Sequence, residues 1–97
     1  GRTFELGEYR HRMYFLHLEP EAEDPNEFAV VSYYRDSSER RNVEIIRIDT
    51  AHGFTHIDRL YLENQGKEEV EWGLWEAVED VTENWRRYAR LYEDNHG

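Results

Sequence analysis

Residues 43–62, VEIIRIDTAHGFTHIDRLYL, decide the fold. Two runs rich in aliphatic and β-branched residues, 43–50 and 55–62, flank a short segment that contains Gly53, and this pattern favours two strands joined by a hairpin. A connection this short can only join antiparallel strands. The stretch therefore predicts an antiparallel hairpin with residues 51–54 as its loop.

The loop length also predicts the register of the hairpin. A four-residue loop puts Thr50 opposite Thr55, and pairs on one face of the sheet then recur at every second residue. The predicted pairs on that face are Asp49–His56, Arg47–Asp58, Ile45–Leu60 and Val43–Leu62. Four polar side chains therefore gather near the turn, at the open end of an apolar stripe, where a scaffold can hold catalytic or ligand-binding groups.

Further elements lie on both sides of this hairpin. Strand patterns cover residues 9–18 and 28–35, and residues 68–72 fit either a fifth strand or an early start of the helix. Over residues 74–94 the apolar positions recur in steps of four and three, which predicts an amphipathic helix. The sequence thus predicts one α+β domain over residues 1–97: an antiparallel four- to five-stranded β-meander followed by one long C-terminal helix packed on one sheet face.

A single helix covers only one face of such a sheet, yet the predicted strands have apolar residues on both faces. Val31, Tyr33 and Ile45 would point one way, and Val30 and Ile48 the other. Strong curvature or a second subunit must hide the remainder, and we favour a homodimer.

The composition excludes several kinds of function. The 97 residues include no cysteine, which excludes disulfides, thiolate metal sites and a cysteine nucleophile. No apolar run approaches the ~20 residues that span a bilayer, and no signal-peptide pattern is visible. We therefore expect a cytoplasmic protein with no membrane partner and no cofactor.

Acidic residues outnumber basic ones by 22 to 12, and the net charge is −10. Lys67 is the only lysine; the other basic residues are arginines. Many carboxylates with abundant arginine and scarce lysine suggest a halophilic, GC-rich organism such as a haloarchaeon, because carboxylates hold water at high salt while their repulsion is screened. The alternative is an acidic protein that binds a basic partner.

The polar group near the turn has three interpretations. Arg47–Asp58 and Asp49–His56 can be cross-strand ion pairs that fix the register. They can instead serve acid–base chemistry, because a histidine beside a carboxylate titrates near neutrality and Arg47 can hold a phosphate. In the third interpretation His52, His56 and Asp58 form a two-histidine, one-carboxylate metal site.

The first predicted strand adds a candidate RNA-binding surface. Arg10 and Arg12 alternate with aromatic residues such as Tyr14, and basic residues interleaved with aromatics suit single-stranded RNA, in which bases stack and phosphates pair with arginine. Arg59 joins them as a fourth candidate binding residue. The alternative is a strand with a solvated charged face.

Residues 47–52, RIDTAH, with His56 following, resemble the TumE-type small toxins of prokaryotic toxin–antitoxin pairs and uncharacterised haloarchaeal families of similar pattern. Those proteins also run as a β-meander that ends in a helix. The resemblance implies a metal-independent RNA-cleaving toxin with a cognate antitoxin, in which His52 and His56 are catalytic and Arg47 and Asp49 lie beside them. The competing hypothesis is a non-enzymatic, dimeric protein-interaction module of a salt-adapted organism.

Overall fold

The computed structural model describes residues 1–20, 27–51, 53–63 and 66–96. The strands are β1 (Arg2–Tyr9), β2 (Arg12–Pro20), β3 (Phe28–Asp36), β4 (Arg41–Ala51), β5 (Phe54–Asp58) and β6 (Glu68–Val70), followed by the helix α1 (Leu74–His96). All neighbouring strands are antiparallel, and their order in the sheet is their order in the chain. The predicted α+β class, with a meander followed by one C-terminal helix packed on the sheet, is confirmed.

The sheet has six strands rather than four or five. The missed strand, β1, contains a bulge between Glu5 and Gly7, which interrupts the alternation by which a strand is recognised. The predicted strand 9–18 began too early, because Arg10 and His11 have positive φ angles of 49° and 68° and form the turn between β1 and β2. The ambiguous stretch 68–72 begins as the short strand β6.

A second bulge lies in the ladder between β3 and β4. Ser32 pairs with Ile46 but Tyr33 pairs with Glu44, so Ile45 is the extra residue. As a result Ile45 and Ile46 are both fully buried in the core. The predicted place of Ile45 beside Val31 and Tyr33 was wrong, and the uncovered face is less apolar than expected.

The hairpin between β4 and β5 has the predicted register near its turn, but its ladder of paired residues is shorter than predicted. Arg47 pairs with Asp58, and no β5 residue lies beyond that pair in the described part of the chain. The backbone N–H of Leu62 donates to the carbonyl of Arg59 at 3.1 Å, which closes a turn. The predicted pairs Ile45–Leu60 and Val43–Leu62 were therefore wrong.

The core fills the space between α1 and the sheet. The helix buries one stripe, consisting of Ala77, Val81, Trp85, Tyr88 and Ala89. The facing sheet residues include Tyr14, Leu16, Val30, Tyr34, Ile46, Ile48 and Ile57. Within the described residues, no helix is both long and apolar enough to cross a membrane.

Ser32 is a polar residue in this core, and its removal should stabilise the protein. Its hydroxyl is fully buried and finds no hydrogen-bond partner among the described residues. A buried, unpaired hydroxyl costs free energy, so Ser32→Ala should raise the free energy of unfolding by about 1 kcal/mol. Urea denaturation at pH 7 measures the change.

Thr55 provides the matched control for that substitution. Thr55 is also buried, but its Oγ1 donates to the carbonyl of Trp72 at 2.7 Å. Thr55→Val removes a satisfied hydroxyl with little change of shape and should lower stability by about 1 kcal/mol. Equal destabilisation by both substitutions would mean that the Ser32 hydroxyl has a partner.

Candidate functional site

The sheet face opposite α1, here called the open face, holds two rows of side chains in register across the strands. The first row consists of Thr3, His17, Val31, Arg47 and Asp58. The second row consists of Glu19, Ala29, Asp49, His56 and Glu69. The predicted pairs Arg47–Asp58, Asp49–His56 and Thr50–Thr55 are confirmed. Arg47, Asp49, His56 and Asp58 therefore share one face, as the hairpin predicted.

Arg47 forms its ion pairs along its own strand. Its Nε donates to Asp49 Oδ2 at 2.9 Å, and its Nη1 lies 3.7 Å from Glu44 Oε1. The hydrogen bond to Asp49 raises the pKa of Arg47 above its ordinary value. Asp58 lies opposite in the ladder, but the ion pairs found among the described residues join Arg47 to Asp49 and Glu44. An incoming anion therefore meets a guanidinium that already has two carboxylates beside it.

His17 is the most completely positioned histidine of the open face. Its Nε2 lies 2.8 Å from Glu19 Oε2, and its Nδ1 lies 2.9 Å from the hydroxyl of Thr3. A carboxylate only accepts, so Nε2 carries the proton, and Nδ1 of a neutral ring accepts from Thr3. The hydrogen bond with His17 also lowers the pKa of the Glu19 carboxyl. A histidine held between a carboxylate and a hydroxyl has the arrangement of an acid–base group with its orienting partner.

A cavity of about 310 Å³ opens on this face between His17 and Arg47. Its lining consists of Thr3, His17, Val31, Tyr33, Asn42, Glu44 and Arg47. Val31 lies between the two, on β3, and its side chain is buried and short. At the strand spacing of a sheet the Cα atoms of His17 and Arg47 are about 10 Å apart, which leaves room for a small polar group between their side chains.

An aromatic pair borders the cavity. The rings of Phe15 and Tyr33 stack with their centroids 5.4 Å apart, and both side chains are half-buried. They lie in register on β2 and β3, and Tyr33 also lines the cavity. The site thus combines a histidine, an arginine and an aromatic surface.

The histidines predicted to be catalytic were His52 and His56. His56 is half-buried on the open face, opposite Asp49. His52 lies outside the described residues. Among the described residues, no group of three histidines or carboxylates is arranged to hold a metal ion. The metal alternative named His52, His56 and Asp58, so its first ligand is beyond what the structure describes.

The predicted binding residues from the first strand lie on the helix side of the sheet. Arg10 and Arg12 each donate to Glu93 at 3.2 Å, and the Tyr14 hydroxyl donates to the same carboxylate at 3.4 Å. This group is called the Glu93 clasp below. Tyr14 is fully buried, so its ring cannot stack on a base. The clasp and the open face are on opposite sides of the sheet and do not form one site.

The fourth predicted binding residue has an acidic partner of its own. Arg59 donates from Nη1 to Glu68 Oε1 at 3.1 Å. The ion pair connects the end of β5 with the beginning of β6. A contact of this kind is expected of a side chain that stabilises the edge of the sheet.

Sequence reasoning missed Thr3, His17 and Glu19 as functional candidates. His17 and Glu19 are two residues apart on one strand, and that spacing alone places both side chains on the same face. Thr3 gave no signal, because β1 was not recognised as a strand.

An antiparallel meander with a helix on one side, and histidines, arginine and carboxylates on the other, defines a small α+β protein with a polar open face. The chain belongs to the family described as the domain of unknown function DUF7718, whose family model matches residues 3–97. No curated protein and no solved structure matches the chain.

Proposed function

We propose that the protein is a toxin-like ribonuclease that cleaves RNA on the open face without a metal ion. The observation that carries the proposal is that His56, on the strand next to Arg47, and His17, two strands away on the other side, share one face with it. Acid–base cleavage of RNA needs a base, an acid and a cation for the phosphate, and this face holds all three residue types.

The chemistry assigns a role to each group. A neutral imidazole takes the proton of the ribose 2′-hydroxyl, whose oxygen attacks the adjacent phosphorus. A protonated imidazole gives a proton to the departing 5′-oxygen, so the products are a 2′,3′-cyclic phosphate and a free 5′-hydroxyl. Arg47 stabilises the charge on the non-bridging oxygens. The resemblance to TumE-type toxins implies catalytic roles for both His52 and His56, so the proposal includes His52 as well.

The carboxylates around Arg47 set a condition on RNA binding. Glu44 and Asp49 pair with Arg47, and Glu19 and Asp58 lie on the same face. Phosphates are repelled by these groups at low ionic strength, and at about 1 M salt the repulsion is screened within a few Å. We therefore expect RNA cleavage in molar KCl, as in the cytoplasm of a salt-adapted cell. The cognate protein partner in this proposal is an antitoxin.

The proposal predicts a large loss of activity when the open face is changed. His56→Ala, His17→Ala and Arg47→Ala should each lower cleavage of a fluorescent single-stranded RNA by about 100-fold or more, because each removes a group that acts on the reacting atoms. The assay is run in 2 M KCl with EDTA, which should leave cleavage unchanged.

His11 offers the matched control. It is an exposed histidine in the turn between β1 and β2, and asparagine tolerates its φ of 68°. His11→Asn should therefore keep full activity. If wild type leaves RNA intact and the open-face variants only melt earlier, these histidines are structural. Cleavage that EDTA abolishes would instead indicate a metal site.

A second candidate function is a dimeric interaction module that associates through the open face. The half-exposed Phe15–Tyr33 stack favours it, because a stacked aromatic pair is a common anchor of a protein interface. Light scattering in molar salt should then give about twice the 11.8 kDa chain mass. Phe15→Ser should restore the monomer mass, and a wild type that is monomeric at every concentration excludes this candidate.

A further inference from the structure

The helix side of the sheet has an apolar groove that the core does not fill. A cavity of about 340 Å³ lies between β1, β2 and the beginning of α1, lined mainly by Phe4, Leu6, Leu16, Leu18, Trp75 and Val78. Two of these residues are unusually exposed: Trp75 is 72% and Phe4 48% accessible to solvent. Covering such large apolar rings with another surface removes them from water, which is favourable in free energy.

An acidic ridge runs along α1 beside this groove. Glu79 and Glu83 follow Trp75 at successive intervals of four residues, so the three side chains lie on one side of the helix. Glu76 lies next to them, and residues 74–84 include four acidic and no basic residues. On the opposite rim, Arg2 and Glu5 contribute charges of opposite sign. The groove is therefore apolar along its floor. The acidic side chains lie beyond Trp75 on the solvent side of the helix, where Glu76, Glu79 and Glu83 also line a separate cavity.

We propose that this groove docks a basic amphipathic helix of a partner protein. The apolar stripe of such a helix covers Phe4 and Trp75, and its lysines or arginines pair with Glu79 and Glu83. At low ionic strength a second copy of this chain fits poorly, because a two-fold contact through Trp75 brings two acidic ridges together. The surface is separate from the open face and does not depend on its chemistry.

Two designed peptides of 18 residues test the proposal on the full chain. Both have the same leucine stripe, and their polar faces are lysine in one and glutamate in the other. Titration calorimetry in low-salt buffer, where charges are not screened, should show binding of the lysine peptide only. Trp75→Ala should weaken that binding about tenfold or more, which is the usual effect of removing a central aromatic anchor. The double variant Glu79→Gln, Glu83→Gln should also weaken binding of the lysine peptide and make that binding less dependent on salt.

Two control variants separate docking from general adhesion. Phe54→Ala removes an exposed aromatic ring elsewhere, and Glu63→Gln removes an exposed carboxylate beyond β5; both should bind the lysine peptide as wild type does. Equal binding of the two peptides, no binding of either, or binding that Trp75→Ala leaves intact would overturn the proposal. A dimer that Trp75→Ala dissociates would also overturn it, in favour of a second copy. RNA cleavage should be the same in wild type and Trp75→Ala, so each proposal can fail without the other.

Discussion

Gly7→Ala should lower the free energy of unfolding by about 3 kcal/mol, because a Cβ at this position has no room and the backbone is strained for any side chain. Gly7 has a φ of +152° in the bulge of β1. A Cβ built there lies 2.9 Å from Cζ2 and 3.2 Å from Cη2 of Trp85. The indole cannot move aside, since Trp85 is buried and packs against the fully buried Tyr14 with ring centroids 5.5 Å apart.

Urea denaturation measures this loss, and Gly66→Ala is the matched control. A Cβ on Gly66 meets no atom of the described residues within 4 Å, so that variant should stay within about 0.5 kcal/mol of wild type. Trp85→Phe makes space beside Gly7, and the double variant should therefore lose less than the sum of the two single losses. If Gly7→Ala is as stable as wild type, strand β1 does not pack on the helix as described.

Stability should also fall steeply above pH 10, because core tyrosines, chiefly Tyr14 and Tyr88, resist ionisation in the folded state. Burial raises the pKa of Tyr14 above its ordinary value, with the Glu93 carboxylate nearby as the second cause. Burial likewise raises the pKa of Tyr88, whose hydroxyl donates to Asp80 Oδ2 at 2.6 Å. The pKa of each hydroxyl is therefore lower in the unfolded chain than in the folded protein.

The sign follows from that difference. A folded-state pKa above the unfolded value of about 10 gives stability that is fully present below pH 10 and is lost as the pH rises towards the folded pKa. Two such tyrosines give a slope of about 2.7 kcal/mol per pH unit. Basic groups contribute little to this slope, because arginine stays charged in this range and Lys67 is the only lysine of the chain.

Urea unfolding at pH 9, 10 and 11 tests this slope. Tyr88→Phe removes one titrating group and should roughly halve the slope, and the double variant with Tyr14→Phe should flatten it further. Each variant is compared with wild type at pH 7 as well, because loss of a hydrogen bond changes stability at every pH. A slope that is the same in all variants would mean that other groups cause the alkaline transition.

The helix and the register near the hairpin turn could be predicted because local patterns specify both. The stripe of α1 recurs with the period of a helix, and the short loop between β4 and β5 leaves one pairing of Asp49 with His56. The full course of β4 could not be predicted, since the bulge at Ile45 arises where two neighbouring isoleucines are both buried. No pattern within β4 alone shows that its partner strand will be offset.

The candidate site was predicted in part for the same reason. Arg47, Asp49 and His56 share one hairpin, so their common face follows from local spacing. His17 reaches the same face only through the ladders of β2 and β3, and Thr3 only through β1. Arg10 and Arg12 were assigned to an RNA surface by composition, but the side of the sheet that they occupy depends on the helix packed against it.

The Glu93 clasp has a consequence for the order of folding. Its hydrogen bonds join residues separated by 79 to 83 positions in the chain. Closing so long a loop costs entropy that the contact recovers only after most of the chain is ordered, whereas each hairpin of the meander closes a short loop. The strands that carry the open face therefore assemble by near-neighbour steps, and the clasp that ties the last turns of the helix to the first hairpin forms late. We therefore expect the two rows of the open face to form before the Glu93 clasp does.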